Sequence, residues 1–256
     1  MSLRGEARWP LRTKLHFARF EFKYVLPKAL RDDVERELRF FLKFDPYVED
    51  RPDHQYFVRS LYFDDPSYTS FYEKHDGLHT RSKFRVRTYT NDSEISAPYF
   101  LEIKGRHNNL VFKHRCELQT GGYAILESGN ELTRKVIEIA KPSNVIQQFQ
   151  YEVYRKRIRP VALVDYWRRP YVSVYDPEFR MTFDERLYAT NTGGLFPESS
   201  HTRRMMVAGY TVLEVKFRRH IPSWFHRIIQ SFQLRRVSIS KICEAVETLE
   251  LAENLS

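Results

Sequence analysis

The stretch Phe17-Ala18-Arg19-Phe20-Glu21-Phe22-Lys23-Tyr24 decides the fold. Charged and apolar residues alternate strictly, with Arg19, Glu21 and Lys23 on one side and Ala18, Phe20, Phe22 and Tyr24 on the other. A period of two is the mark of an extended strand whose faces meet different surroundings. The habit recurs along the chain: Arg85 and Arg87 alternate with Phe84 and Val86, and Glu102 and Lys104 share one face of a second run. Lys113, Arg115 and Glu117 follow, then Arg180, Thr182 and Asp184, and finally Glu214 and Lys216. Two arrangements satisfy the pattern. One is an antiparallel sheet with a solvated outer face. The other is a sheet closed into a barrel whose lumen is charged and whose outside is covered by helices.

An inward charged face has an energetic consequence. Two like charges 4 Å apart repel by about 4 kcal/mol at an effective dielectric of 20. The cations on these faces outnumber the carboxylates Glu21, Glu102, Glu117 and Glu214. An anion is then needed to offset the excess, and the planar fork of arginine suits phosphate oxygens. Isolated carboxylates among phosphate-binding cations suit Mg²⁺ or Mn²⁺, which such sites hold with one or two carboxylates plus phosphates.

Outward from these strands, composition narrows the class. The chain has 256 residues, with 42 Lys and Arg against 33 Asp and Glu, a formal charge of +9. An aromatic fraction of 15% is too high for a disordered basic tail. No run approaches about 18 consecutive apolar residues, and residues 1–30 lack the apolar region of a signal peptide. Cys116 and Cys243 form no metal-ligand spacing and read as reduced thiols of a cytoplasmic protein. No P-loop, dinucleotide-binding, zincin or nucleophile-elbow motif occurs.

Residues 1–12 read as a flexible N-terminal tail and 13–256 as a single domain. Pro27 opens a helix with Leu30, Val34, Leu38, Phe41 and Leu42 on one stripe. Residues 106–109 read as a hairpin turn, and Pro142 divides two helical segments. Strands are expected at 161–166, 171–175, 180–187 and 211–217, with 191–204 as the most loop-like interior segment. Aromatic residues alternate away from the cations, which disfavours a nucleic-acid platform. The run Arg155, Lys156, Arg157 and Arg159 reads as a solvated face.

In order along the chain, these motifs resemble a known family. Phe20-Glu21-Phe22-Lys23-Tyr24 is similar to the opening strand of VTC domains, the polyphosphate polymerase domains of the triphosphate tunnel metalloenzyme (CYTH-like) superfamily. Ser60-Leu61-Tyr62-Phe63-Asp64, Tyr72-Glu73-Lys74 and Lys83-Phe84-Arg85-Val86-Arg87-Thr88-Tyr89 continue the match. Leu101-Glu102-Ile103-Lys104, Lys113-His114-Arg115 and Tyr166-Trp167-Arg168 follow. Arg180-Met181-Thr182-Phe183-Asp184, Leu213-Glu214-Val215-Lys216-Phe217 and Ser238-Ile239-Ser240-Lys241 complete it. The resemblance covers residues 17–250.

It implies an α+β fold, a closed antiparallel β-barrel forming a triphosphate tunnel, with helices packed outside and at the ends. It implies a metal-dependent transferase that moves the γ-phosphate of ATP onto a growing polyphosphate chain. Carried over by position, Lys23, Arg85, Arg87, Lys104, Arg168 and Lys216 are the catalytic cations. Lys113, Arg115, Arg180, Ser240 and Lys241 bind substrate, and Glu214 holds Mn²⁺ or Mg²⁺, with Glu21 and Glu102 as further metal candidates. Two positions depart from the pattern. Ile242 replaces a common aromatic, and Arg19 replaces the first carboxylate of the superfamily's ExExK strand, which speaks against a two-metal hydrolase. The alternatives are a triphosphatase or nucleotidyl-cyclase relative on the same tunnel, and a polyphosphate-binding module without turnover. Expected partners are ATP or another triphosphate and polyphosphate, not a specific nucleic-acid sequence. The chain reads as a free-standing catalytic domain without a membrane segment, so any translocation of product falls to a separate membrane partner.

Overall fold

The alternating stretch forms β1 (Phe17–Pro27), and Pro27 ends it at the N-cap of α1 (Lys28–Leu38). A computed structural model describes residues 17–108, 110–198, 201–206 and 208–252. The tail expected over residues 1–12 lies outside the described residues. After α1 come β2 (Leu42–Phe44), β3 (Tyr56–Asp64), α2 (Thr69–His75) and β4 (Thr80–Thr88). Next are the hairpin strands β5 (Tyr99–His107) and β6 (Leu110–Leu118), then α3 (Gly129–Ile139) and α4 (Asn144–Lys156). Beyond them run β7 (Arg159–Ser173), β8 (Arg180–Thr190), β9 (Thr202–Arg204) and β10 (Tyr210–Phe217). The described chain closes with α5 (Ser223–Ser231), β11 (Arg236–Val237) and α6 (Lys241–Thr248).

All the strands join one antiparallel sheet. β7, β3, β4, β5, β6, β1, β10 and β8 are hydrogen-bonded neighbours in that order, and β8 pairs again with β7. The path of pairings thus returns to its start. Helices cover the apolar face. Leu101, Ile103 and Cys116 pack with Leu132 and Val136 of α3 and Phe149 of α4. Tyr24, Phe183 and Leu213 pack with Val34 and Leu38 of α1 and with Trp224 and Phe225 of α5. Ile242, Cys243 and Val246 of α6 pack with Val164, Leu187 and Val212. Each fully buried Leu or Phe contributes about 1.5–3 kcal/mol, so the apolar faces supply the driving force.

Several expectations need correction. Phe41 and Leu42 are not helical: α1 stops at Leu38, and Leu42–Phe44 pair with Tyr171–Ser173. Phe41 instead stacks on Trp224 at 4.6 Å. The two strands expected at 161–166 and 171–175 are the single strand β7, which runs through Pro170. The Pro170 carbonyl accepts from Asp45 N at 3.1 Å. In a strand a residue's N–H and C=O point the same way, so the missing donor faces the gap between β3 and β2 and not the β8 ladder. Segment 191–204 contains β9, which pairs with Tyr188–Thr190. β11 pairs with Lys23 and Tyr24 of β1, a contact that two residues could not announce by period.

Candidate functional site: a cation-lined cavity inside the strand ring

The charged faces converge. A cavity of about 430 Å³ is lined by fourteen cationic side chains and two carboxylates, Glu21 and Glu214, among the described residues. Register explains the convergence. Lys83, Lys104 and Lys113 stand side by side across β4, β5 and β6. Glu21 faces Lys216 and Lys23 faces Glu214 across β1 and β10, a checkerboard of opposite charge.

Each carboxylate is wrapped by cations. Glu214 meets Lys241 at 2.7 Å, Lys216 and Arg168 at 3.2 Å and Lys23 at 3.7 Å. Glu21 accepts from Lys104 at 2.9 Å. Glu102, fully buried beneath the lining cations, accepts from Arg85 Nε at 2.8 Å and ion-pairs with Lys113. Asp184, also fully buried, takes both nitrogens of the Arg168 fork at 2.6 and 2.7 Å, and Lys241 at 2.6 Å.

The titration behaviour follows from this crowding. Burial alone would raise the Glu214 and Glu102 carboxyls. Lys241 and Lys216 outweigh it at Glu214, and Lys113 and Arg85 outweigh it at Glu102, holding both well below the usual range. Lys104 and Lys113 are lowered, chiefly by burial. Lys216 is lowered to about 7, first by burial and then by Arg168. Burial would raise Tyr62, yet Arg85, Arg87 and Lys241 pull it down to about 8. Arginines hold the hydroxyls that face the cavity: Arg85 donates to Tyr62 Oη at 2.9 Å and Arg87 to Tyr166 Oη at 3.1 Å.

The segment that enters α6 closes part of the wall. Lys23 Nζ donates to the Ile239 carbonyl at 2.7 Å, and Lys83 Nζ to Ser240 Oγ at 2.9 Å. Residues 236–242 all line the cavity.

Of the residues singled out in the sequence, Lys23, Arg85, Arg87, Lys104, Arg168 and Lys216 line this cavity, as do Lys113, Ser240, Lys241, Glu21 and Glu214. Glu102 is not among the lining residues but lies beneath two of them, Arg85 and Lys113. Arg115 and Arg180 are not among the lining residues. Arg115 lies 4.3 Å over the Phe100 ring, and Arg180 donates to the Pro177 carbonyl at 3.3 Å. Tyr62, Tyr166, Lys83 and Arg19 stand in the charged face or motifs read from the sequence but carried no site role there, and all four line the cavity. The signal for three of them was period two: Tyr166 precedes Arg168 by two, Lys83 precedes Arg85 and Arg19 precedes Glu21.

The ring of strands around a cationic hollow defines a class. A family model of the VTC domain matches residues 18–250, and the chain belongs to that family. No curated protein gives a significant match. Among solved structures, a candidate adenylate cyclase from Bacillus halodurans superposes with a TM-score of 0.52 at 11% identity, covering 89% of this chain and 96% of its own. The PH1819 protein from Pyrococcus horikoshii OT3 gives 0.44 at 12% identity, with 90% and 98% covered. At such identities the first likeness speaks for the fold alone. No helix among the described residues is long and apolar enough to cross a membrane.

Proposed function

We propose that the ring of strands is a closed barrel and that its hollow is the active site of a metal-dependent polyphosphate polymerase. One observation carries the reading: fourteen cations and two carboxylates share about 430 Å³. That imbalance is costly unless a polyanion resides there. A short polyphosphate or the triphosphate of ATP brings the opposite charge. Phosphoryl transfer needs little covalent help from the protein beyond positioning and charge stabilisation. Arg85, Arg87 and Arg168 present planar donors held by Glu102, Tyr62, Tyr166 and Asp184. Lys23, Lys104, Lys113 and Lys216 add point charges, and Ser240 and Lys241 reach in from the α6 end.

No group of three or more metal-ligating side chains occurs among the described residues, so a cage built from protein alone does not fit. A divalent ion held mainly by phosphate oxygens does fit, since Mg²⁺ and Mn²⁺ need only one or two carboxylates beside a polyphosphate. Glu214 would be the protein ligand, with Glu21 two positions away on the facing checkerboard. When bound, the ion would supply positive charge that offsets the charge of the phosphates. The domain is read as acting in the cytoplasm.

The test is direct. Purified chain is incubated with ATP and Mn²⁺, and the products are run on a gel stained for polyphosphate. A ladder, absent in Arg85→Ala, supports the polymerase. Orthophosphate without polymer means a triphosphatase. Neither product, with tripolyphosphate still bound, means a receptor.

A further inference from the structure

Three connections meet at one end of the molecule. Val174, just past β7, donates its N–H to the Phe41 carbonyl in the turn after α1, at 3.0 Å. Phe41 stacks on Trp224 of α5 at 4.6 Å. Arg218, just past β10, ion-pairs with Glu178 of the β7–β8 loop at 2.9 Å. Beneath the junction Phe179, Trp224 and Phe225 pack edge to face, which gives it a firm base. Its outer side is apolar and uncovered. Phe40 and Tyr175 each keep 73% of their surface exposed, and Val174 keeps 50%. Phe40 adjoins Phe41 and Tyr175 adjoins Val174, so all three flank one hydrogen bond. Single exposed apolar residues are ordinary, whereas a cluster of them on bonded loops marks a docking surface.

Cations frame the cluster. Residues 37–43, 174–180 and 218–227 carry six Lys and Arg against three Asp and Glu. Arg39, Lys43, Arg219 and Arg227 are exposed, and none of them forms an ion pair with a described residue. Of the acids, Glu178 is already taken by Arg218. None of these residues lines the phosphate cavity. We propose that this end of the molecule docks on the surface of an anionic lipid bilayer. Phe40, Val174 and Tyr175 enter the headgroup layer, and Arg39, Lys43, Arg219 and Arg227 meet its anionic lipids.

Two features favour a bilayer over a protein partner. Protein interfaces gain most from rings sunk in well-packed pockets, which demands a matching shape on the partner. Here the apolar side chains stand at the tips of a turn and a loop, and a fluid interface accepts them without any matching shape. Tyr175 has an apolar body and a polar tip, the combination that suits the boundary between water and lipid. The second feature is charge. Exposed cations without internal partners are drawn to anionic headgroups, and apolar side chains at the same place then hold the protein there. Such docking needs no spanning helix, and no described helix is long and apolar enough to be one. It uses no cavity residue, so it stands apart from the polymerase reading.

Co-sedimentation of the whole chain with lipid vesicles tests this. Vesicles of phosphatidylcholine alone are compared with vesicles that also contain phosphatidylglycerol. The wild-type chain is expected to bind the anionic vesicles at least about tenfold more tightly than the neutral ones, and to be released by salt. Phe40→Ser/Tyr175→Ser is expected to weaken binding to anionic vesicles by about tenfold. Arg39→Ala/Arg219→Ala is expected to weaken it similarly and to flatten its salt dependence. All four side chains are exposed, so thermal melts of both variants should match wild type. No binding to anionic vesicles, or equal binding to both kinds, overturns the proposal. Wild-type binding by the ring variant does so too, since the cavity cations would then be holding the lipid. A dimer seen without vesicles and abolished in the ring variant would assign the surface to a second copy of this chain instead.

Discussion

Lys216 faces Glu21 across the β1–β10 ladder, yet its ammonium also lies 3.2 Å from Glu214, two residues along its own strand. On the next rung Lys23 faces Glu214, and its ammonium sits between Glu21 at 3.6 Å and Glu214 at 3.7 Å. Two carboxylates thus hold four lysines in place, counting Lys104 on Glu21 and Lys241 on Glu214. Glu214 also meets Arg168 at 3.2 Å, yet the cations lining the cavity still far outnumber the two carboxylates. The hollow is ordered in its cations but undersupplied with anions, which is the state a polyanion would complete.

Lys216 gives that completion a pH signature. Its pKa is lowered to about 7 by burial and by Arg168, so above neutrality the empty site holds it largely uncharged. A bound phosphate chain favours the charged form and raises the pKa, so binding takes up a proton. The sign follows: affinity is full below pH 7 and falls as pH rises through it, by up to about tenfold per unit while the complex stays protonated. Calorimetry of tripolyphosphate in buffers of different ionisation enthalpy should show proton uptake near pH 8. Lys216→Arg should flatten the profile relative to wild type, and that comparison cancels the ligand's own titration. An unchanged profile would show that Lys216 is already charged in the empty site.

Glu214→Gln separates two roles for that carboxylate. The variant removes the negative charge shared by Lys241, Lys216, Lys23 and Arg168. Opposite charges at such distances attract by about 4 kcal/mol at an effective dielectric of 20. The freed cations should then grip metal-free tripolyphosphate about tenfold tighter or more, while metal-dependent turnover is lost. Weaker binding together with lost turnover would show that Glu214 only shapes the wall and does not hold a metal.

Gly105 is held open by a ring and not by a turn. It lies in β5 opposite Phe112, and a Cβ built there would come 1.9 Å from Phe112 Cζ. The Phe112 ring therefore lies across the bare backbone. Gly105→Ala should cost about 1–3 kcal/mol of stability, as overpacking does, and lower the melting temperature by several degrees. Adding Phe112→Leu should recover much of that loss, because the two residues share one space. An Ala variant as stable as wild type would mean that the ring swings away at no cost.

Much of this was legible in the sequence because charge and ring alternate at period two. That pattern identifies β1, β4, β5, β6 and β10 and the residues on their inner faces. It specifies the face of a strand but not the height along the hollow. Nor does it say where a long side chain turns: Arg115 and Arg180 stand opposite Glu102 and Lys216, yet Arg115 lies over the Phe100 ring and Arg180 donates to the Pro177 carbonyl. The continuity of β7 through Pro170 was hidden because the tolerance depends on which neighbour the missing N–H would meet. β9 and β11 were too short for any period to show. Tyr62 and Tyr166 were visible as strand residues, and the order of strands β7, β3 and β4, which the sequence does not show, brings their hydroxyls onto Arg85 and Arg87.

Asp64 supplies a stability prediction outside the phosphate site. It ends β3, and its Oδ1 accepts from Asp65 N at 3.0 Å and Ser70 N at 3.1 Å, tying the start of α2 to the strand. Its Oδ2 is buried without a hydrogen-bond partner. Burial pushes the carboxyl up to about 6, against 3.8 for an ordinary aspartate. A carboxyl raised on folding disfavours the folded state wherever it must be charged. The penalty is fully present above pH 6 and disappears as pH falls from 6 to 3.8. Asn at this position keeps the Oδ1 acceptor and carries no charge. Asp64→Asn should therefore be more stable at pH 8 by about 1–3 kcal/mol, and no more stable than wild type at pH 4. Denaturant melts at the two pH values check this. A variant less stable at both would show that the carboxylate charge is itself needed where β3 hands over to α2.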